Sequence, residues 1–251
     1  MKLARDTWLT FLYEVELLVR SPVNVAVTLI QPLTYLLFFT PFLKAVMGVN
    51  SYGAAYQIYV PSLFAAMGVF SGMFAGFALL GAMRQGVITR CRVTPLSRVG
   101  LLLGRELQYV LLVVFQALVV VVAALTLGLR VRPADLLFAL GLLSMMVLLS
   151  VSISFILALV MPDERNLATL INAVSQPISL LAGVLIPLSV APLWVQNVAL
   201  WNPFAWGTNS MRAVFHGELS SNVVWQASLI LTVLAVVSVV ASSRLFNRAN
   251  A

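Results

Sequence analysis

Charge is what this sequence has least of. Only 9% of its 251 residues are Asp, Glu, Lys or Arg, against roughly 25% in soluble proteins, while 61% are hydrophobic and the mean hydropathy is +1.02. So few charges cannot cover a globular surface in water, which excludes a soluble fold. A single cysteine, Cys91, excludes an intrachain disulfide and a cysteine-based zinc cluster. A single histidine, His216, excludes a multi-histidine metal site. Lysine occurs only at Lys2 and Lys44, neither behind a glycine-rich loop. The Gly-Lys-Ser/Thr phosphate cradle is therefore missing, and the polypeptide does not hydrolyse ATP by that route.

What is present is a series of apolar runs near the ~20 residues needed to cross ~30 Å of hydrocarbon. Six are visible, at about 23–43, 58–82, 103–128, 135–160, 167–189 and 223–243. The expectation is an all-α polytopic membrane protein with six transmembrane helices, residues 23–251 forming one transmembrane domain. Residues 1–22 do not resemble a cleaved signal peptide, because Asp6, Glu14 and Glu16 interrupt the apolar pattern. They predict an amphipathic helix lying at the membrane interface. Trp8, Phe11, Leu12, Val15, Leu18 and Val19 form one stripe, with Asp6, Thr10 and Glu14 opposite. Ser21-Pro22 then breaks the helix and starts the first span.

Fifteen basic against eight acidic residues give a net charge of +7, which reports orientation in a membrane protein rather than nucleic-acid binding. With both termini in the cytoplasm, only Lys44, Arg130, Arg132 and Arg212 fall outside, so the positive-inside rule selects that topology. The expected location is the inner cell membrane. No internal repeat is visible, which disfavours transporters built on inverted repeats.

The spans lack Asp, Glu and Lys at their centres; Glu106 and Asp135 are expected near span ends, close to water. That disfavours a proton-driven pump, which needs a buried carboxylate or histidine relay. Asn172, Ser175, Gln176 and Ser179 share one helical face of the fifth segment, continued by Gly183. They either line a path for an amphiphilic substrate or bond to neighbouring helices. Gly68, Gly72 and Gly76, four residues apart, permit close backbone approach within the chain or across a dimer. Gln31 and Gln116 read as structural, and Pro32, Pro41, Pro61 and Pro177 predict local kinks.

Two connections carry more detail. The loop 83–102 holds Arg84, Arg90, Arg92 and Arg98 with no acid before Glu106. In it Gly86 precedes a short stretch of helical spacing that Thr94-Pro95 ends, a segment suited to docking in a groove on a soluble partner. The external segment 190–222 places Trp194, Val198 and Trp201 at helical spacing, stopped by Pro203, with Trp206 and Trp225 nearby. Indoles favour the headgroup level, so this segment reads as a short re-entrant helical pair, with Arg212, His216 and Glu218 marking its return to water.

At these two places the chain resembles the type-2 ABC exporter permeases, in particular the drug-resistance and nodulation-factor branch. Residues 86–98, GVITRCRVTPLSR, are similar to the family's Gly-Thr-Leu-Glu-x-Leu-x-x-Thr-Pro-x-x-Arg loop. Residues 185–217 carry Pro187, Pro192 with Trp194, Asn202-Pro203, Trp206 at the family's tyrosine position, and Arg212. The family's acidic residues around the loop glycine are replaced, with Gln85 before it and Thr89 where Glu is usual; that change, with the loop's positive charge, suggests a more acidic groove on the partner.

The resemblance implies a permease dimer, of two identical copies or of paralogues, joined to separately encoded cytoplasmic ABC ATPase subunits. Those subunits would bind the ATP and magnesium, leaving this chain without a cofactor, a metal or catalytic residues of its own. It implies that Gly86, Arg90, Arg92, Thr94, Pro95 and Arg98 belong to the coupling helix, and that Pro192, Trp194, Asn202, Pro203 and Arg212 form the external re-entrant motif. Asn172, Ser175, Gln176 and Ser179 would line the path, with membrane lipid around it. The expected activity is ATP-driven export of an amphipathic drug, lipid or lipid-linked glycan, supporting multidrug resistance in some members. An ion-coupled carrier or passive channel is the alternative. A membrane-embedded enzyme ranks last, since clustered acids, histidines or cysteines are missing.

Overall fold

The computed structural model describes residues 2–48, 51–86, 97–184 and 188–249. Among them there is no strand. The chain is a bundle of helices: α1 (Lys2–Val19), α2 (Pro22–Met47), α3 (Tyr52–Arg84), α4 (Arg98–Thr126), α5 (Pro133–Val160), α6 (Glu164–Leu181), α7 (Leu193–Ala199), α8 (Pro203–Phe215) and α9 (Asn222–Ala249). A single 3₁₀ turn, Leu188–Val190, precedes α7. Five of these, α2 to α5 and α9, are long and apolar enough to cross a membrane. The fifth apolar segment of the sequence becomes α6, with 18 residues and a strongly amphipathic character. At ~1.5 Å per residue it reaches about 27 Å, slightly short of the hydrocarbon.

Local chemistry sets the helix starts. Pro22 occupies the first turn of α2, where its missing N–H costs nothing, and Pro133 does the same for α5. Ser51 caps α3 by accepting from the Ala54 N–H at 3.2 Å, and Ser97 caps α4 by accepting from the Gly100 N–H at 3.1 Å. Helices α2, α3 and α6 run through Pro32 and Pro41, Pro61 and Pro177 without interruption.

Helix α3 is the most buried of the five. Its Gly68, Gly72 and Gly76 face α5 of the same chain, so this small-residue stripe is an internal seam rather than a dimer contact. A Cβ on Gly72 would sit 2.2 Å from Ser150 Cβ. The Gly76 N–H donates to Ser154 Oγ at 2.8 Å, and Ser154 Oγ in turn donates to the Met73 carbonyl.

Helix α1 does not float free at the interface. The side with Asp6 and Thr10 is the packed side: Asp6 is buried, Asp6 and Thr7 press on Gly100 of α4, and Thr10 and Phe11 press on Gly104. Trp8, Leu12 and Val19 point outward instead. An oily outer face with an inner face that bonds the bundle suits a helix bordered by lipid.

Candidate functional site

The basic loop is held between two clamps. At its entry, Arg84 at the end of α3 donates to Glu164 Oε2 and to the Pro162 carbonyl, each at 3.0 Å, with Asp163 Oδ1 at 3.9 Å. Gly86 then takes φ +70°, a left-handed turn that breaks the helix. At its exit, the Ser97 N–H donates to Asp6 Oδ2 at 2.8 Å, and Arg105 donates to Glu14 Oε1 at 2.8 Å. The two described ends of the loop are thus fastened, one to the start of α6 and the other to α1. Arg98 opens α4. Arg90, Arg92, Thr94 and Pro95 lie outside the described residues.

The polar stripe on α6 divides. Ser175 and Ser179 are buried, whereas Asn172 and Gln176 are exposed. Asn172 donates to the Ala168 carbonyl at 2.9 Å and Ser179 to the Gln176 carbonyl at 2.9 Å, while Ser175 Oγ has no partner among the described residues. The four do share a side of the helix, but α6 leans on α3 so that the edge of the contact runs along the stripe. Part of it packs and part is presented outward.

The segment after α6 forms the expected helical pair, α7 and α8. Pro192 precedes α7, and Asn202 caps α8 by accepting from the Phe204 N–H at 3.1 Å, with Pro203 in the first turn. The Asn202 side chain also donates to the Ile178 carbonyl at 2.8 Å, which fixes the pair to α6. Trp194 and Trp201 are exposed.

Arg212 differs from expectation. It does not mark a return to water but turns inward. It donates through Nη2 and Nε to Ser62 Oγ of α3, at 2.7 and 3.2 Å, and through Nη2 to the Gly183 carbonyl just past α6. Burial pushes its pKa down to about 10, so the guanidinium remains charged at neutral pH. His216 and Glu218, four and six residues further along, are the exposed ones.

Glu106 is the second correction. It is not near water but fully buried at a junction of three helices. Its Oε1 accepts from Ser152 Oγ of α5 at 3.0 Å and from Ser242 Oγ of α9 at 3.1 Å, and its Oε2 has no partner among the described residues. Asp135 is likewise buried, in the first turn of α5. Sequence reading missed the junction because its parts lie 46 and 136 residues apart; the only local signal was an acid eight residues inside an apolar helix. Glu106→Leu is expected to cost about 1–3 kcal/mol, since it strands the Ser152 hydroxyl in an apolar interior. Glu106→Gln keeps a carbonyl acceptor and should retain most of the stability. Thermal unfolding of the two variants in detergent checks both.

Among the described residues no group of His, Cys, Asp and Glu could hold a metal ion.

Comparison with known proteins shows what the chain is similar to. The family model described as ABC-2 type transporter matches residues 5–216, which takes in the basic loop, the α6 stripe and the re-entrant pair. A relative in Pyropia yezoensis, named as transport permease ycf38, is 25% identical over 200 residues, covering 78% of this chain and 69% of the relative. The protein of that name in Porphyra purpurea is 25% identical over 210 residues, covering 82% and 70%. A third, in Cyanophora paradoxa, is 24% identical over 200 residues, covering 78% and 69%.

Proposed function

Because the chain belongs to the ABC-2 type transporter family, we propose that it is the permease half of an ATP-driven exporter. Permeases of this family are transmembrane subunits that work with an ABC ATPase. The cargo we assign is an amphipathic drug, lipid or lipid-linked glycan, moved outward across the cell membrane by two copies of this chain. The observation that carries the reading is the family match over residues 5–216, which takes in residues 86–98 and 185–216. The two clamps support it: motion imposed on the loop by an ATPase passes to α3 with α6 and to α4 with α1. Exposed Asn172 and Gln176 are then available to a path between protomers.

The carrier alternative requires an accessible intramembrane ion site. Glu106 supplies an acid, but one fully enclosed by Ser152 and Ser242 and their helices.

The test is reconstitution in vesicles. The chain alone should show no nucleotide hydrolysis, and transport should require both ATP and a co-expressed ABC ATPase. Transport by the chain alone, driven by an ion gradient, overturns the proposal. Arg90→Glu with Arg98→Glu should weaken co-purification of the ATPase about tenfold, the effect of one or two lost charge contacts, while the permease stays inserted. Unchanged co-purification removes the coupling assignment.

A further inference from the structure

The geometry points to a binding site for the phosphate headgroup of an anionic phospholipid, in the cavity between the re-entrant pair and the start of α9. This inference does not depend on what the permease exports.

The cavity has a volume of about 600 Å³, within the range of small-molecule sites. Its polar lining is Arg212, Asn209, Gln196, Gln226 and Trp206, and none of the lining residues is acidic. Two of these are already engaged: Gln196 Nε2 donates to the Ala191 carbonyl and Trp206 Nε1 to the Leu200 carbonyl, each at 2.8 Å. Asn209 and Gln226 are exposed and hold no hydrogen bond among the described residues. Arg212 is cationic and pinned by Ser62 and the Gly183 carbonyl. A fixed cation with two amide donors beside it, and no carboxylate, is a receptor for a phosphate oxygen. The Arg212 charge also repels a choline group and no acid in the lining offsets it, so an anionic headgroup is favoured over a zwitterionic one.

The surroundings provide for the rest of a lipid. Trp201, 91% exposed, and Trp225 adjoin the lining residues Leu200 and Gln226 in sequence, and indoles favour the headgroup level. From Gln226 an exposed apolar line runs along α9 through Leu229, Val233, Val237 and Val240, all on one helical face. It extends about 21 Å at ~1.5 Å per residue, longer than the ~15 Å of one hydrocarbon leaflet. A headgroup in the cavity would lay its acyl chains there.

The experiment uses the full chain in a neutral detergent, titrated separately with dihexanoyl phosphatidylglycerol, dihexanoyl phosphatidylcholine, glycerol phosphate and inorganic phosphate. The readout is tryptophan emission, with Trp206→Phe subtracted to isolate the cavity's indole. Phosphatidylglycerol is expected to bind about tenfold more tightly than phosphatidylcholine, the factor for one charge-assisted contact. Neither soluble phosphate should bind comparably. Asn209→Leu with Gln226→Leu, both at exposed positions, should weaken phosphatidylglycerol about tenfold with helix content unchanged. Equal affinity for the two lipids overturns the proposal. So does binding of either soluble phosphate as tight as that of phosphatidylglycerol, or an unaltered affinity in the double variant.

Discussion

Gly72→Ala is expected to destabilise the protein by about 3 kcal/mol or more, at the upper end of core overpacking. A single methyl at this position meets Ser150 Cβ at 2.2 Å and the backbone of Val151 at 3.1 Å. A side chain could rotate away, but a backbone nitrogen and a Cβ cannot, so α3 and α5 must separate. Gly76→Ala meets the Ser154 carbonyl and hydroxyl at 2.6 Å and also disturbs the bond from its own N–H to Ser154. Gly68→Ala finds its nearest neighbours, Leu143 Cδ1 and Met146 Cβ, at 3.4 Å and should be nearly neutral. The expected order of loss in melting temperature is Gly72, then Gly76, then Gly68. Gly81→Ala, with nothing within 4 Å, should instead add up to about 1 kcal/mol through helix propensity. Equal losses at Gly68 and Gly72 would mean that this seam does not set the packing.

Arg212→Leu is expected to cost about 1.5–3 kcal/mol, the range for hydrogen bonds made by a charged donor, and to abolish transport. Ser62 keeps a partner, because its hydroxyl donates to the Ile58 carbonyl at 3.1 Å. The Gly183 carbonyl loses the Arg212 contact, and α8 loses its tie to both α3 and the end of α6. Arg212→Lys retains the charge but offers a compact ammonium in place of a planar fork. It should keep most of the stability while loosening the re-entrant pair. Protease accessibility of residues 188–202 would separate these effects. A leucine variant that melts and transports like the wild type would show that Arg212 is not the tie described.

The helices themselves were legible in the sequence because lipid-facing helices need long uncharged runs, and the Ser21-Pro22 break was legible because proline lacks an N–H. Direction of packing was not. The hydrophobic stripe of α1 does not map onto one face: Trp8, Leu12 and Val19 are exposed while Phe11, Val15 and Leu18 are half-buried, and periodicity alone does not say that the side with Asp6 and Thr10 would be the one gripped by α4. That depends on Gly100 and Gly104, nearly a hundred residues later. The α6 stripe likewise shows four residues on one side of a helix, while the split between Ser175 and Asn172 is set by where α3 lies. Arg212 and Glu106 were both placed near water, since a charge in an apolar chain is normally assigned to its ends. Their actual partners, Ser62, Ser152 and Ser242, are ordinary serines in distant helices and give no signal of their own. The internal seam at Gly72 was half visible: the spacing announces close approach, but not to which helix.

The seat of α1 has a consequence for how the molecule is made. Asp6 and Glu14 each bond to a residue 91 positions further along. At about 5–20 residues per second, synthesis takes roughly 5–20 s to deliver those residues after the first helix has left the ribosome. Throughout that interval Asp6 and Glu14 lack those partners. Helix α1 is therefore among the late pieces to lock, closing on α4 only after α4 has been made.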